Sequence, residues 1–184
     1  MANQYIILST CGHFEQNVLD AIQHDIEKEF HFPVQKNDCS LDIAKFYCPG
    51  RRQYDANGIL GYLSEISPAN AFKTLGLFRI DLYIPILTYI FGQALLNGHA
   101  GIISLYRLRN ELYGLESNND VLIYRFRKVI MHEMGHMFGL IHCHHPECVM
   151  RSSTYMEDID QKEMKFCTAC YTLLHQNIAA SKQK

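Results

Sequence analysis

The 184-residue chain predicts one α+β domain built on a mixed β-sheet with helices. Three observations carry that expectation. Strand-like and helix-like periodicities alternate through the first half of the chain. Apolar residues make up 48% of it, which allows a sizeable core without disulfide staples. No repeat, low-complexity tract or Pro- or Gly/Ser-rich linker divides it.

Residues 4–10 hold the apolar, β-branched run Tyr5-Ile6-Ile7-Leu8 and are closed by Gly12, which predicts a strand. Residues 17–30 place Val18, Leu19, Ile22, Ile26 and Phe30 on one helical face. A short strand is expected at 32–35. A turn follows at Pro49-Gly50, then a helix over 52–66 that ends before Pro68. Strands are expected at 76–84, 87–94 and 101–105. Ser117-Asn118-Asn119-Asp120 reads as a helix start. From 121 to 139 Leu122, Phe126, Val129, Ile130 and Met137 form an apolar stripe. An irregular stretch then runs through Tyr155, and a last helix is expected over 158–178, with Met164, Phe166, Leu173 and Leu174 apolar.

Composition excludes several classes. The formal net charge is -2, and no basic stripe is present to attract a phosphate backbone. No apolar run approaches the roughly 20 residues that span a bilayer. The start of the chain lacks a basic stretch followed by a long apolar one, so no export signal is expected and a cytoplasmic location is. Seven cysteines are an odd count. In a cytoplasmic chain, close cysteine pairs indicate metal binding more than disulfides. Cys11, Cys39 and Cys48 are scattered and read as buried thiols.

The long helix carries His132-Glu133-Met134-Gly135-His136. Residues four apart lie one above the other on a helix, so both imidazoles can reach one metal ion. Glu133 is rotated about 100° away, beside the metal, where it can act as general base on a bound water. Gly139 and His142 extend the motif to H-E-x-x-H-x-x-G-x-x-H, a pattern expected by chance in roughly one such chain in ten thousand. A glycine three residues past His136 lets the helix end in a left-handed turn, so that His142 swings back to the same ion. Three neutral imidazoles leave a fourth position for water, as a catalytic zinc requires. His144 and His145 lack that spacing and are expected to be loop residues.

Cys143 and Cys148, with the C-x-x-C pair Cys167 and Cys170, fit a closed tetrahedral zinc site of the structural kind. His142 and Cys143 would then serve adjacent ions, and the second ion would tie the irregular stretch to the last helix. Met150, eight residues past His142, is placed to act as a soft floor beneath the histidines.

On these residues the chain resembles the metzincin clan of zinc peptidases, and within it the archaemetzincins. The clan signature falls on His132, Glu133, His136, Gly139 and His142, with Met150 as the Met-turn methionine. The archaemetzincin mark is the set Cys143, Cys148, Cys167 and Cys170, which in that family binds a second zinc. The likeness is strongest over 121–175. It extends upstream to Asp81-Leu82-Tyr83, Phe91-Gly92 and Ser104-Leu105-Tyr106-Arg107-Leu108. It implies a twisted mixed sheet with helices in an upper part (1–139) and a lower part (140–184) with the Met-turn and the four-cysteine site. It also implies protease or aminopeptidase activity. The cysteine-containing propeptide of secreted clan members is not expected ahead of the domain. Ser152 stands where several clan members carry a tyrosine, so Tyr155 does not simply inherit that role.

The expected reaction is peptide-bond hydrolysis by a monomer on peptide or protein substrates, with one catalytic and one structural zinc. The substrate would lie along an edge strand, for which 101–105 is the candidate. Arg107 is either a binder of substrate carboxylates or a structural ion-pair partner. Two other readings stay open at this point: a catalytically inert, zinc-stabilised peptide-binding module, and a zinc-ribbon-like nucleic-acid binder, against which the absent basic surface weighs.

Overall fold

The chain begins with β1 (Tyr5–Cys11), α1 (Gln16–Phe30) and β2 (Val34–Asp38), a β-α-β unit whose strands pair in parallel, Ile6 opposite Val34 and Thr10 opposite Asp38. The computed structural model describes residues 4–182; residues 1–3, which belong to the stretch where no export signal is expected, and 183–184 lie outside the described range. Helix α1 forms because Val18, Leu19, Ile22, Ile26 and Phe30 recur at three- and four-residue spacing, and all five are buried. Then come β3 (Tyr47–Cys48), β4 (Gln53–Asp55) and α2 (Ala56–Ile66), the last started by the Asp55 carboxylate accepting from the Asn57 amide at 3.0 Å. Four strands follow: β5 (Ala71–Phe78), β6 (Leu82–Tyr83), β7 (Gly92–Ala94) and β8 (Ala100–Ser104). Three helices follow: α3 (Asn119–Met137), α4 (Met156–Gln161) and α5 (Thr168–Ser181).

The main sheet has the order β2-β1-β5-β8-β7, and the small one β3-β4-β6. All neighbours in the main sheet are parallel except β7, which runs antiparallel to β8 at the edge. Alternate side chains face opposite sides of a strand. Ile6, Leu8, Leu75, Leu77 and Ile103 join α1 and α3 in the larger core. Phe78, Ala100 and Ile102 join Ala56, Ile59, Leu60 and Leu63 of α2 in the smaller one. The mixed α+β architecture expected from the sequence is therefore present.

Several boundaries differ from expectation. Residues 52–66 start as β4 and turn helical only at Ala56, because Asp55 ends the strand and caps the helix. The strand expected at 76–84 begins at Ala71 and breaks after Phe78. Its distal part, β6, pairs with β4 instead. The strand expected at 87–94 shrinks to β7, with one isolated bridge from Ile90 to Leu82 upstream. The candidate edge strand at 101–105 is β8, which lies inside the sheet; β7 is the edge on that side. The last helix is two. Between α4 and α5 the backbone bonds sideways, Val149 N–H to the Lys165 carbonyl at 2.8 Å and Glu163 N–H to the Glu147 carbonyl at 2.9 Å.

Cys11, Cys39 and Cys48 are half-buried rather than buried, because they sit at strand ends. Cys39 follows β2 directly, its N–H bonded to the Thr10 carbonyl at 2.9 Å. None of the helices described is long and apolar enough to cross a membrane.

Helix α3 is held along its length. Arg125 is buried and bonds the Asp160 carboxylate twice, at 2.7 and 2.6 Å. Lys128, also buried, donates to the Ile159 carbonyl at 2.9 Å. Arg127 grips Asp25 of α1 at 2.6 and 2.8 Å. At its far end Lys73 Nζ donates to the Met137 carbonyl at 2.8 Å, and the Asn97 N–H to that of His136 at 2.8 Å. Removing one partner of such a buried charge is costly, so the helix is well fixed in position.

Candidate active site

Helix α3 starts where the Asn118 side chain accepts from the Val121 N–H at 3.0 Å. It ends in a Schellman turn. Gly139 has φ +88°, its N–H bonds the His136 carbonyl at 2.9 Å, and the Leu140 N–H bonds the Gly135 carbonyl at 2.9 Å. The turn reverses the chain so that His142 faces the helix it has just left.

His132, His136 and His142 are brought together, one ligand atom of each within 4.8 Å of the others. His132 Nδ1 lies 2.8 Å from the Val149 carbonyl and His136 Nδ1 2.7 Å from the Leu140 carbonyl. A carbonyl can only accept, so each Nδ1 carries the proton and each Nε2 offers a lone pair. The two Nε2 atoms stand 3.1 Å apart. Imidazole nitrogens on a tetrahedral zinc stand roughly 3.3 Å apart, so the cradle fits that ion. Burial pushes all three histidines below the usual imidazole range, which keeps them in the neutral form a metal needs.

Glu133 is buried beside this cradle. Burial raises its carboxyl to about 8, against the opposing pull of the Lys162 ammonium. Room for it comes from Gly92 of β7: a Cβ there would stand 2.8 Å from Glu133 Cγ and 3.0 Å from Oε1. Met150 is fully buried beneath the helix, and a Cβ on Gly135 would meet its Sδ at 2.4 Å.

The four thiols Cys143, Cys148, Cys167 and Cys170 also converge within 4.8 Å. Cys143 Sγ and Cys167 Sγ are 3.7 Å apart, close to the roughly 3.8 Å of two sulfurs on a tetrahedral zinc. The two clusters share backbone. The Cys143 N–H bonds the Met150 carbonyl at 2.9 Å, and Val149, whose carbonyl holds His132, lies between Cys148 and Met150. His144 and His145 are exposed loop residues outside both clusters. Arg107 forks onto Asp81, with Nε 2.7 Å from Oδ1, and is a structural ion-pair partner.

A cavity of about 650 Å³ opens over the histidines. Edge strand β7 and the segment before it form one wall, from Tyr89 to Ala94; Ser152, Ser153, Thr154 and Tyr155 form the other, with Ile159 and Lys162 behind.

The profile of Peptidase family M54 matches residues 41–176. The chain belongs to that family. The archaemetzincin of Methanocaldococcus jannaschii is 41% identical over 168 residues, which is 90% of this chain and 92% of that protein. The archaemetzincin of Thermococcus kodakarensis is 41% identical over 133 residues, 72% of each chain. Among solved structures, the archaemetzincin of Methanopyrus kandleri superposes with a TM-score of 0.85 at 28% identity and covers 97% of both chains. A zinc-dependent peptidase from Methanocorpusculum labreanum gives 0.79 at 28% identity, covering 92% of this chain and 99% of that one. This M54 member is a zinc metallopeptidase, which implies peptide or protein substrates.

Sequence reasoning missed Gly92, Gly135 and Lys162 as neighbours of the site. Gly135 did leave a signal: a glycine inside a helix costs about 1 kcal/mol against alanine, which flags a close contact. Lys162, in a polar stretch, left none.

Proposed function

We propose that the peptidase cleaves by general-base catalysis, with His132, His136 and His142 holding the catalytic zinc and Glu133 as the base. Zinc, when bound, supplies Lewis acidity: it lowers the pKa of its water and polarises the scissile carbonyl. Glu133 takes the proton from the attacking water and hands it to the leaving amine. The observation that carries this reading is the convergence of three imidazole ligand atoms with one buried carboxylate at the floor of a single cavity.

The same proposal assigns the remaining roles. Cys143, Cys148, Cys167 and Cys170 hold a second, structural zinc. Met150 is the floor of the catalytic centre. The substrate lies extended along β7, which lines the cavity and has one free edge. The chain acts as a monomer with an upper part, 1–139, and a lower part, 140–184, divided at the helix-ending turn.

The test is Glu133→Ala. The variant should keep two equivalents of zinc by elemental analysis, one in a nitrogen and one in a sulfur environment by X-ray absorption. It should lose roughly 10²–10⁴ in kcat. Undiminished cleavage would remove Glu133 from the role of base.

A further inference from the structure

Lys162 is 3% exposed and lines the catalytic cavity. Its Nζ donates to the Arg151 carbonyl at 2.8 Å, and none of the ion pairs among the described residues includes it. An ammonium has three protons to donate, and a buried one is costly unless they find acceptors. Two residues beyond Arg151, the buried Ser153 Oγ makes no hydrogen bond and lines the same cavity. Glu133 is the one carboxylate and Lys162 the one lysine or arginine among the lining residues. With zinc in place, the cavity carries net positive charge.

The direction of the reaction says which half of the substrate meets this charge. Glu133 passes its proton to the leaving amine, so the part of the substrate after the scissile bond lies on Glu133's side. Glu133 is the carboxylate that most favours the Lys162 ammonium. Val129 and Ile159, which line the cavity with Lys162, lie on α3 one turn before Glu133 and on α4.

We propose that Lys162, with Ser153, forms an anion-binding subsite that receives a carboxylate from the residue following the scissile bond. The carboxylate comes either from an acidic side chain or from a free carboxy terminus. This specificity rests on the catalytic reading above.

The test uses zinc-loaded protein and calorimetric binding of two probe pairs, succinic and glutaric monohydroxamate against their ω-carboxamides. The hydroxamate anchors at the histidine cradle, and the other end reports on Lys162. The carboxylates should bind roughly tenfold to a hundredfold tighter than the carboxamides, since a charged hydrogen bond is at stake. Lys162→Met should reduce that ratio to about one, while Lys162→Arg should retain it. A role confined to holding the Arg151 carbonyl would leave the ratio unmoved. The wild-type ratio needs no variant, so misfolding of Lys162→Met does not shield the proposal.

Peptides then separate the two sources. A base sequence found by library digest is compared with Glu or Gln after the cleaved bond, and with a free or amidated carboxy terminus there. A preference in kcat/KM for Glu identifies the side chain; one for the free terminus identifies the chain end. Binding of both hydroxamates without discrimination overturns the Lys162 assignment and leaves the catalytic reading standing. Binding of neither takes both down.

Discussion

Replacing Gly92 by alanine pushes on Glu133 without changing its chemistry. The added Cβ would lie 2.8 Å from Glu133 Cγ and 3.0 Å from Oε1, where ordinary contacts begin at 3.4 Å. The strand cannot simply retreat: the same Cβ would stand 3.0 Å from the Ile102 carbonyl, and β7 is bonded to β8 in that register. Glu133 must therefore give way by about 0.6 Å. Misplacing a catalytic group by an ångström costs on the order of 10²-fold. The shift here is a little over half that, so kcat should fall roughly tenfold to a hundredfold. Overpacking should also cost about 1–2 kcal/mol of stability. The histidines are not in the path, so zinc content should be unchanged. The assay is steady-state hydrolysis of a fluorogenic peptide, with zinc by elemental analysis and stability by urea unfolding. A variant with kcat within twofold of wild type and full stability would refute the placement of Glu133 against β7.

Three further outcomes are expected. Gly139→Ala forces a left-handed conformation on a side chain and brings Cβ to 3.2 Å from Asn177 Nδ2, so stability should fall by about 1–2 kcal/mol, with Gly139→Asn milder; a loss under about 0.5 kcal/mol in urea unfolding would contradict the turn. Cys167→Ser with Cys170→Ser should leave at most one zinc and weaken binding at the histidines about tenfold or more, because the Val149 carbonyl and His142 both hang on the cysteine cluster; unchanged affinity by competition with a chelator dye would break the coupling. Burial holds the Lys73 ammonium down at about 8 against 10.5 in water, so between those values the unfolded chain carries the extra proton and the folded state gains as pH rises. The difference in unfolding free energy between wild type and Lys73→Met should therefore grow by up to ~3 kcal/mol across that window, and a flat difference would speak against a buried charge.

The sequence by itself determined the parts of this protein whose chemistry is local. A histidine pair four residues apart on one helix, a glycine that ends that helix and a C-x-x-C pair are set by backbone periodicity, which a sequence displays directly. The apolar stripes of α1 and α3 were legible for the same reason. Only the tertiary structure decided matters of approach between distant segments. It made β7 the edge rather than β8, because strand order depends on which crossovers pack. It split the last helix, because sideways bonds from residues 163 and 165 to the loop outweigh helical propensity there. It set Gly92 against Glu133, Met150 under Gly135 and Lys162 in the cavity wall. A carbonyl such as that of Val149, which orients His132, carries no residue-type signature at all. Such groups act through position alone, and position is fixed only when the whole core closes.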